Sequence, residues 1–322
     1  MTDNRPSISV LTFGGGADHW RNVAENAASN VVAISCPDRR QLATSYAGVN
    51  CLVGWAFPDS IFQRLPDLEW IQNLTVGVDP LINNPSIAEQ IRITNVGGLY
   101  GDSIGEYVIW AMLSLFRRFH HTVRNQERRR WHPEFGDGLS GKRIGIVGMG
   151  DVGGKVAQMA SAFGMQVTAL TRDGTMPDEG PPVHHCESSN RLAEVVAELD
   201  ALILCLPLTE TSRGMVNAAV VANMKSTAIL VNVSRAPLID GTVVSDAVAN
   251  GGLAGAALDV FDKEPLSRWS RLWKVPNLLV TPHTAALSSQ FKTRVADLIT
   301  DNMLRFQSGR PLLNEVDRSK GY

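Results

Sequence analysis

The sequence of 322 residues has only four cysteines, Cys36, Cys51, Cys186 and Cys205, and no C-x-x-C pair among them. That scarcity argues against a disulfide framework. Three of the four sit inside or beside apolar strand patterns, as buried thiols do, and a reducing compartment fits. No apolar run approaches the roughly 20 residues that span a bilayer, so no membrane segment is expected. The opening MTDNRPSISVLTF puts no positively charged segment ahead of an apolar core, so no secretory signal is expected. A cytoplasmic location is the resulting expectation. Charge of one sign is also missing. A net charge of −2 provides no overall field for nucleic acid or anionic lipid, and neither is expected as a partner. His184 and His185 lack a cysteine or carboxylate partner at ligand spacing, so no metal is expected.

The length suggests about two domains. The stretch around which the chain is organised is Lys142 to Asp173. The apolar run Ile144 to Val147 reads as a short buried parallel strand, and it ends in Gly148-Met149-Gly150-Asp151-Val152-Gly153, a G-x-G-x-x-G. A helical pattern (Val156, Met159, Ala160, Phe163) and a second apolar strand, Val167 to Leu170, follow. Glycine-rich turns are common, but this strand–turn–helix–strand frame is what a dinucleotide fingerprint requires. Gly148 permits the tight turn, Gly150 lets the backbone approach a pyrophosphate, and Gly153 lets helix and strand pack closely. Asp151 and Val152 open the helix, whose free N–H groups face the anion.

Before this unit, residues 7–13, 31–35, 50–54, 70–74 and 91–94 read as strands separated by helices or loops, a parallel α/β pattern of its own. Gly14-Gly15-Gly16 lacks phosphate-loop spacing and reads as a flexible turn. A long helix should begin at Asp102-Ser103, with Ser103 and Glu106 as a capping box. Tyr107, Ile109, Trp110, Leu113 and Phe116 would form its core side, and the pattern runs to about Arg130. The arginines near its end read as a solvated face rather than a nucleic-acid patch. After the fingerprint, Gly174 to Asn190 reads mostly as loop. Strands at 201–206, 228–233, 255–260 and 278–281 alternate with helices at 191–199, near Ala218 and at 240–250. An amphipathic helix over 288–308 closes the pattern.

Three polar residues each follow a strand of the second domain, at the sheet edge where open α/β folds bind ligands. These are Arg235, Glu264 and His283. An arginine can grip a carboxylate through two parallel hydrogen bonds, and a histidine can exchange a proton with a carbonyl or hydroxyl while a glutamate orients its ring.

Together they carry a resemblance. After GMGDVG, the runs LCLPLTETSRGMVN (204–217), VNVSRAPLIDGTVVSDAV (231–248), GAALDVFDKEPL (255–266) and NLLVTPHTAAL (277–287) resemble, in order and spacing, the D-isomer-specific 2-hydroxyacid dehydrogenases. LEWIQNLTVGVDPL (68–81) resembles that family's substrate-domain loop, and ITNVGGLYGDSIGEY (93–107) its crossover entry. The closing LLNEVDRSKGY resembles the glyoxylate/hydroxypyruvate reductase branch.

The resemblance implies an α/β fold of two doubly wound parallel-sheet domains. A Rossmann-like cofactor domain would span 102–288. A smaller flavodoxin-like substrate domain would be discontinuous, 1–101 plus 289–322, with the active site in the cleft and the whole commonly a homodimer. It implies that Arg235 binds the carboxylate of a small 2-oxo acid, that His283 donates the proton and that Glu264 is its partner. Cofactor contacts would come from the fingerprint residues and from Leu206, Pro207, Thr211, Val233, Ser234 and Asp259, the last near the nicotinamide. Val76-Gly77 would hold the other side of the substrate carboxylate, with Trp55, Leu99, Tyr100 and Trp131 as candidate pocket walls. A similar tryptophan to Trp131 reaches the neighbouring subunit's pocket in that branch. The family usually has glycine after the catalytic arginine, where this chain has Ala236 and Pro237. The run Thr284 to Leu287 also lacks a glycine that many members carry.

Where an NAD enzyme of this fold places an acid for the ribose 2′-hydroxyl, this chain has Thr171, 18 positions past Gly153, followed by Arg172. The missing carboxylate and the added guanidinium favour NADP, although Asp173 could take the acidic role and keep NAD possible. The expected activity is therefore reduction of glyoxylate or hydroxypyruvate by NADPH. Its rivals are a dehydrogenase for a bulkier 2-hydroxy acid and a cofactor-sensing binding protein like the corepressors that share the fold. Glu264 stands where formate dehydrogenases carry glutamine, which argues against those.

Overall fold

The computed structural model describes residues 7–176 and 180–318. The first six positions, three positions of the 174–190 stretch and the last four of the closing motif lie outside the described residues. One sheet comprises β1 Ile8–Phe13, β2 Val31–Cys36, β3 Cys51–Gly54, β4 Trp70–Asn73 and β5 Arg92–Thr94. Its strands are parallel in the order β2-β1-β3-β4-β5, that of flavodoxin-like sheets. The other comprises β6 Arg143–Val147, β7 Gln166–Thr171, β8 His185–Ser188, β9 Ala201–Leu204, β10 Ile229–Asn232, β11 Gly255–Leu258 and β12 Leu278–Val280. These are parallel in the order β12-β11-β10-β9-β6-β7-β8. Counted from β6, this is the Rossmann order with one more edge strand, and the α/β expectation holds for both sheets. The central strands β9, β10 and β11 are buried along their whole length, which their short unbroken apolar runs anticipate.

The helices are α1 Ala17–Ala27, α2 Asp79–Ile82, α3 Gly101–Phe116, α4 Phe119–Glu127, α5 Asp151–Ala162, α6 Leu192–Val195, α7 Ala218–Asn223, α8 Gly241–Ala249 and α9 Phe291–Gln307. None among the described residues is long and apolar enough to cross a membrane. The chain divides into two compact units, Met1–Leu99 with Ser289–Tyr322, and Tyr100–Ser288.

In the first unit, α9 is fixed to its sheet by a buried polar chain. Trp70 Nε1 donates to Thr94 Oγ1 (2.8 Å), which donates to Gln72 Oε1 (2.9 Å). Asn302 Nδ2 of α9 donates to the same Gln72 oxygen (3.0 Å). Asn302 also accepts the Leu313 N–H at 2.7 Å. All four side chains are essentially inaccessible to water, so each needs these partners. The Gly14–Gly16 segment is the turn between β1 and α1, with Gly14 and Gly16 at positive φ.

Four sequence expectations are corrected. The single helix to Arg130 is broken, because Arg118 adopts φ 56° and its N–H turns to the Leu115 carbonyl. The Ser114 carbonyl, which a continuous helix would pair with that N–H, is taken by His120 Nδ1 at 2.9 Å. α4 beyond the break has no buried residue, in keeping with a solvated arginine face. The capping box does not form: Tyr100 occupies the N-cap and Ser103 already lies within the first turn. The buried face matches the expected one only in part. Ile109 and Phe116 are buried as expected, together with Ile104, Val108, Ala111, Met112 and Leu115, whereas Tyr107 and Leu113 are half-buried and Trp110 is 46% exposed. At Gly105 α3 comes close to α5, since a side chain there would meet Met159 Sδ at 2.9 Å. Finally, β8 forms inside the stretch read as loop, its backbone pairing with β7 despite half-exposed side chains.

Candidate active site

At the switch point of the second sheet, between β6 and β9, the chain turns from β6 into α5 through the glycine motif. Gly148 has φ 90°, and a Cβ there would lie 2.6 Å from the Cys205 carbonyl oxygen. A Cβ on Gly153 would lie 1.9 Å from the Gly148 carbonyl oxygen, so α5 can start against β6 only without one. A Cβ on Gly150 would meet nothing within 4 Å. The motif therefore combines two forced close approaches with one stretch of open backbone, which fits an anionic pyrophosphate beside the free N–H groups of α5. Gly153→Ala is expected to cost about 1–3 kcal/mol through this clash. The thermal midpoint should fall by several degrees, and an unchanged midpoint would show that α5 can retreat freely.

The loop after β9 is fixed by Ser212, buried, whose hydroxyl donates to the Pro207 carbonyl (2.9 Å) and accepts the Thr209 N–H (2.8 Å). This leaves Leu206 half-buried, with Pro207 and Thr211 at the surface. After β10, Asn232 organises the turn that carries Val233, Ser234 and Arg235. Its Oδ1 accepts the Ser234 N–H (3.0 Å) and its Nδ2 donates to the Arg235 carbonyl (2.9 Å). Ser234 Oγ donates across to the Leu204 carbonyl at the end of β9 (2.9 Å). Ala236 and Pro237 enter a short 3₁₀ turn without positive φ, so glycine is not needed there.

Asp259, 2% exposed, gathers the loop after β12. Its carboxylate accepts Thr281 Oγ1 (2.6 Å), the Thr284 N–H (2.8 Å) and the Ala285 N–H (2.9 Å). Thr281 spends its single proton on Asp259, so the Tyr107 hydroxyl is the donor in the 2.7 Å contact between Tyr107 and Thr281. Burial pushes the Tyr107 phenol well above its ordinary range, which keeps it a donor. Within this cage His283 holds φ 56°, and its N–H donates to the Asp259 carbonyl (2.9 Å). His283 Nδ1 lies 2.8 Å from Glu264 Oε2, and the other Glu264 oxygen accepts the Phe261 N–H (2.9 Å). The glutamate is thus anchored at one oxygen and orients the imidazole with the other. Because β10, β11 and β12 are neighbours, Arg235, Glu264 and His283 follow three adjacent strand ends, spanning about 10 Å at ordinary strand spacing.

Thr171 ends β7 opposite Ser188 of β8, and Arg172 follows at the surface. In the first unit, the Val76 carbonyl accepts from Asn95 Nδ2 (3.0 Å) and the Gly77 carbonyl from Asn73 Nδ2 (3.0 Å). Trp55 is half-buried against Gly15. Leu99 is half-buried, Tyr100 buried and Trp131 wholly exposed. Asn232, Ser212 and Thr281 were not singled out in the sequence, and Tyr107 only as a core position of the long helix. The usable signal was a polar side chain closing an apolar strand, as Asn232 and Thr281 do.

The model of the D-isomer specific 2-hydroxyacid dehydrogenase NAD binding domain matches residues 109–285. A glyoxylate reductase of Aeropyrum pernix is 32% identical over 267 residues, covering 80% of this chain and 79% of that protein. A D-isomer specific 2-hydroxyacid dehydrogenase family protein of Aeromonas salmonicida superposes with a TM-score of 0.87 at 28% identity, over 97% of this chain and 100% of the other. An NADPH-dependent glyoxylate/hydroxypyruvate reductase of Sinorhizobium meliloti, solved with NADP and sulfate, gives 0.85 at 26% identity, over 98% and 100%. With the strand order, the glycine turn and matches of this extent, the chain belongs to the D-isomer specific 2-hydroxyacid dehydrogenase family.

Proposed function

We propose that the protein reduces a small 2-oxo acid of the glyoxylate or hydroxypyruvate type to the D-2-hydroxy acid and uses NADPH in preference to NADH. Family membership itself makes the chain an oxidoreductase of 2-hydroxy acids with an NAD-binding domain. Substrate, cofactor preference and residue roles belong to the proposal. The carrying observation is the 2.8 Å contact of His283 with an anchored Glu264, one strand from Arg235.

The residues of the glycine turn, with Asp151 and Val152, would hold the pyrophosphate. Leu206, Pro207, Thr211, Val233 and Ser234 would flank the rest of the dinucleotide, and Asp259 would act chiefly by shaping the His283 loop. When bound, the reduced nicotinamide supplies the hydride that reaches the keto carbon. In the imidazolium form His283 donates Nδ1–H to Glu264 and offers Nε2–H to the keto oxygen. After that transfer the neutral ring keeps its Nδ1 proton, and its half-exposed position lets it recover the other from water. Arg235 would clamp the substrate carboxylate through its planar fork. The Val76-Gly77 loop is held through its carbonyls, so its N–H groups are the donors it has for an anion.

A spectrophotometric panel of 2-oxo acids against NADPH and NADH tests this reading. Turnover of glyoxylate or hydroxypyruvate at ordinary enzyme rates is expected, and no turnover of any 2-oxo acid would favour a cofactor sensor. A hydrogen bond to a charged group contributes roughly 1.5–3 kcal/mol, so Arg172 on a 2′-phosphate should give NADPH an advantage of at least about tenfold in kcat/KM. Thr171→Asp with Arg172→Ala should reverse the order, and rising salt should shrink the wild-type preference. Equal use of both cofactors by the wild type would contradict the NADPH assignment.

A further inference from the structure

Resting on the NADPH-preferring reading, the structure also accounts for the acidic residue that threatens it. Asp173 lies two positions after the end of β7, where a carboxylate could accept hydrogen bonds from a ribose and would repel a 2′-phosphate. Here that carboxylate is turned onto its own loop. Asp173 Oδ1 accepts both the Thr175 hydroxyl (2.8 Å) and the Thr175 N–H (3.1 Å). Thr171 closes the same turn from the strand side, since its hydroxyl accepts the Gly174 N–H (3.0 Å) and donates to the Thr175 carbonyl (3.1 Å). Gly174, at φ 79°, brings the turn against β8, where a Cβ would meet the Ser188 nitrogen at 3.0 Å. The Ser188 hydroxyl in turn donates to the Arg172 carbonyl (3.1 Å). The backbone on both sides of Asp173 is thereby fixed.

We propose that Thr175 is a specificity-determining positioning residue, which folds the Asp173 carboxylate into the turn and so withholds it from the ribose. A vicinal diol is best met by both oxygens of a free carboxylate, and Asp173 has committed one of them. The hydrogen bonds from the Thr175 hydroxyl and N–H also hold the Asp173 pKa below the ordinary carboxylate range, so it stays ionised and keeps its partners across working pH. Arg172 is left to decide the preference at the adjacent position.

The test is direct binding to the full-length protein, read by quenching of intrinsic tryptophan fluorescence with NADPH and with NADH. In the wild type NADPH should bind more tightly. Thr175→Val keeps the β-branched shape and removes the hydroxyl. It should narrow the NADPH:NADH affinity ratio by about 3- to 10-fold, the net worth of one hydrogen bond, mainly through tighter NADH. Thr175→Ser should keep the wild-type ratio. Asp173→Asn alone should leave NADH affinity nearly unchanged, and in that background Thr175→Val should have no further effect on the ratio. If Thr175→Val weakens both cofactors equally, or acts the same with and without Asp173, Thr175 merely shapes the loop and the proposal fails. If Asp173→Asn alone sharply weakens NADH, the carboxylate already serves the ribose and the proposal also fails. A wild type that binds NADH as tightly as NADPH instead overturns the cofactor reading, and this role with it.

Discussion

Replacing His283 with alanine is expected to lower kcat for 2-oxo acid reduction by roughly 10²–10⁴-fold, the range for loss of a general acid. The fold should survive. The His283 side chain is about half exposed, and the contacts that shape its loop come from backbone N–H groups and from Asp259, all of which alanine retains. Alanine tolerates φ 56° somewhat less readily than histidine, but both carry a Cβ and the difference is small beside the loop's hydrogen bonds. The measurement is steady-state reduction of hydroxypyruvate with circular dichroism as the folding control. A loss under threefold in a folded variant would remove His283 from the chemistry.

The second large effect is expected at Arg235. Arg235→Lys should be nearly as damaging as Arg235→Ala, with kcat/KM down by at least about 100-fold in both. An ammonium keeps the charge but cannot reproduce two parallel N–H donors or the planar geometry that a carboxylate matches. The main chain of Arg235 is held by Asn232 whatever side chain follows, so the turn loses only the guanidinium's own hydrogen bond to the Ser234 carbonyl (2.9 Å). Near-native kcat and KM in the lysine variant would contradict a bidentate clamp.

Both residues were legible in the sequence because each follows an apolar strand, and the edge of a parallel sheet follows from strand order. The glycine turn was legible for the same local reason. The support beneath them was not. Tyr107 and Thr281 are 174 positions apart, and only the folded chain shows that one hydroxyl feeds the other and then Asp259. The motif resemblance put Asp259 near the nicotinamide, and the fold adds that both its oxygens are engaged by the His283 loop. The break at Arg118 was not legible because neither glycine nor proline marks it, and the carbonyl it frees is met by a histidine ring from further along the chain. β8 was missed because its side chains carry no apolar alternation, its place being set by pairing with β7. At the departures from the family's glycines the backbone does not call for one. Ala236 has an ordinary negative φ, and in the run after β12 the left-handed residue is His283 itself.

The division of the first unit into two stretches of chain has a consequence for biosynthesis. Synthesis delivers β1 to β5 early, but Asn302, the partner of Gln72, arrives only after the entire second unit has been made. Arg92 similarly waits for Glu315, and the Ile93 carbonyl for the Val316 N–H. At roughly 5–20 residues per second, that interval is on the order of tens of seconds. During it Gln72 lacks the Asn302 amide and Trp70 lacks the Phe306 ring that packs beside it. The second unit, being continuous, suffers no such delay. Nascent chains should therefore complete the cofactor-type sheet first and leave the flavodoxin-like sheet as the surface on which chaperones act.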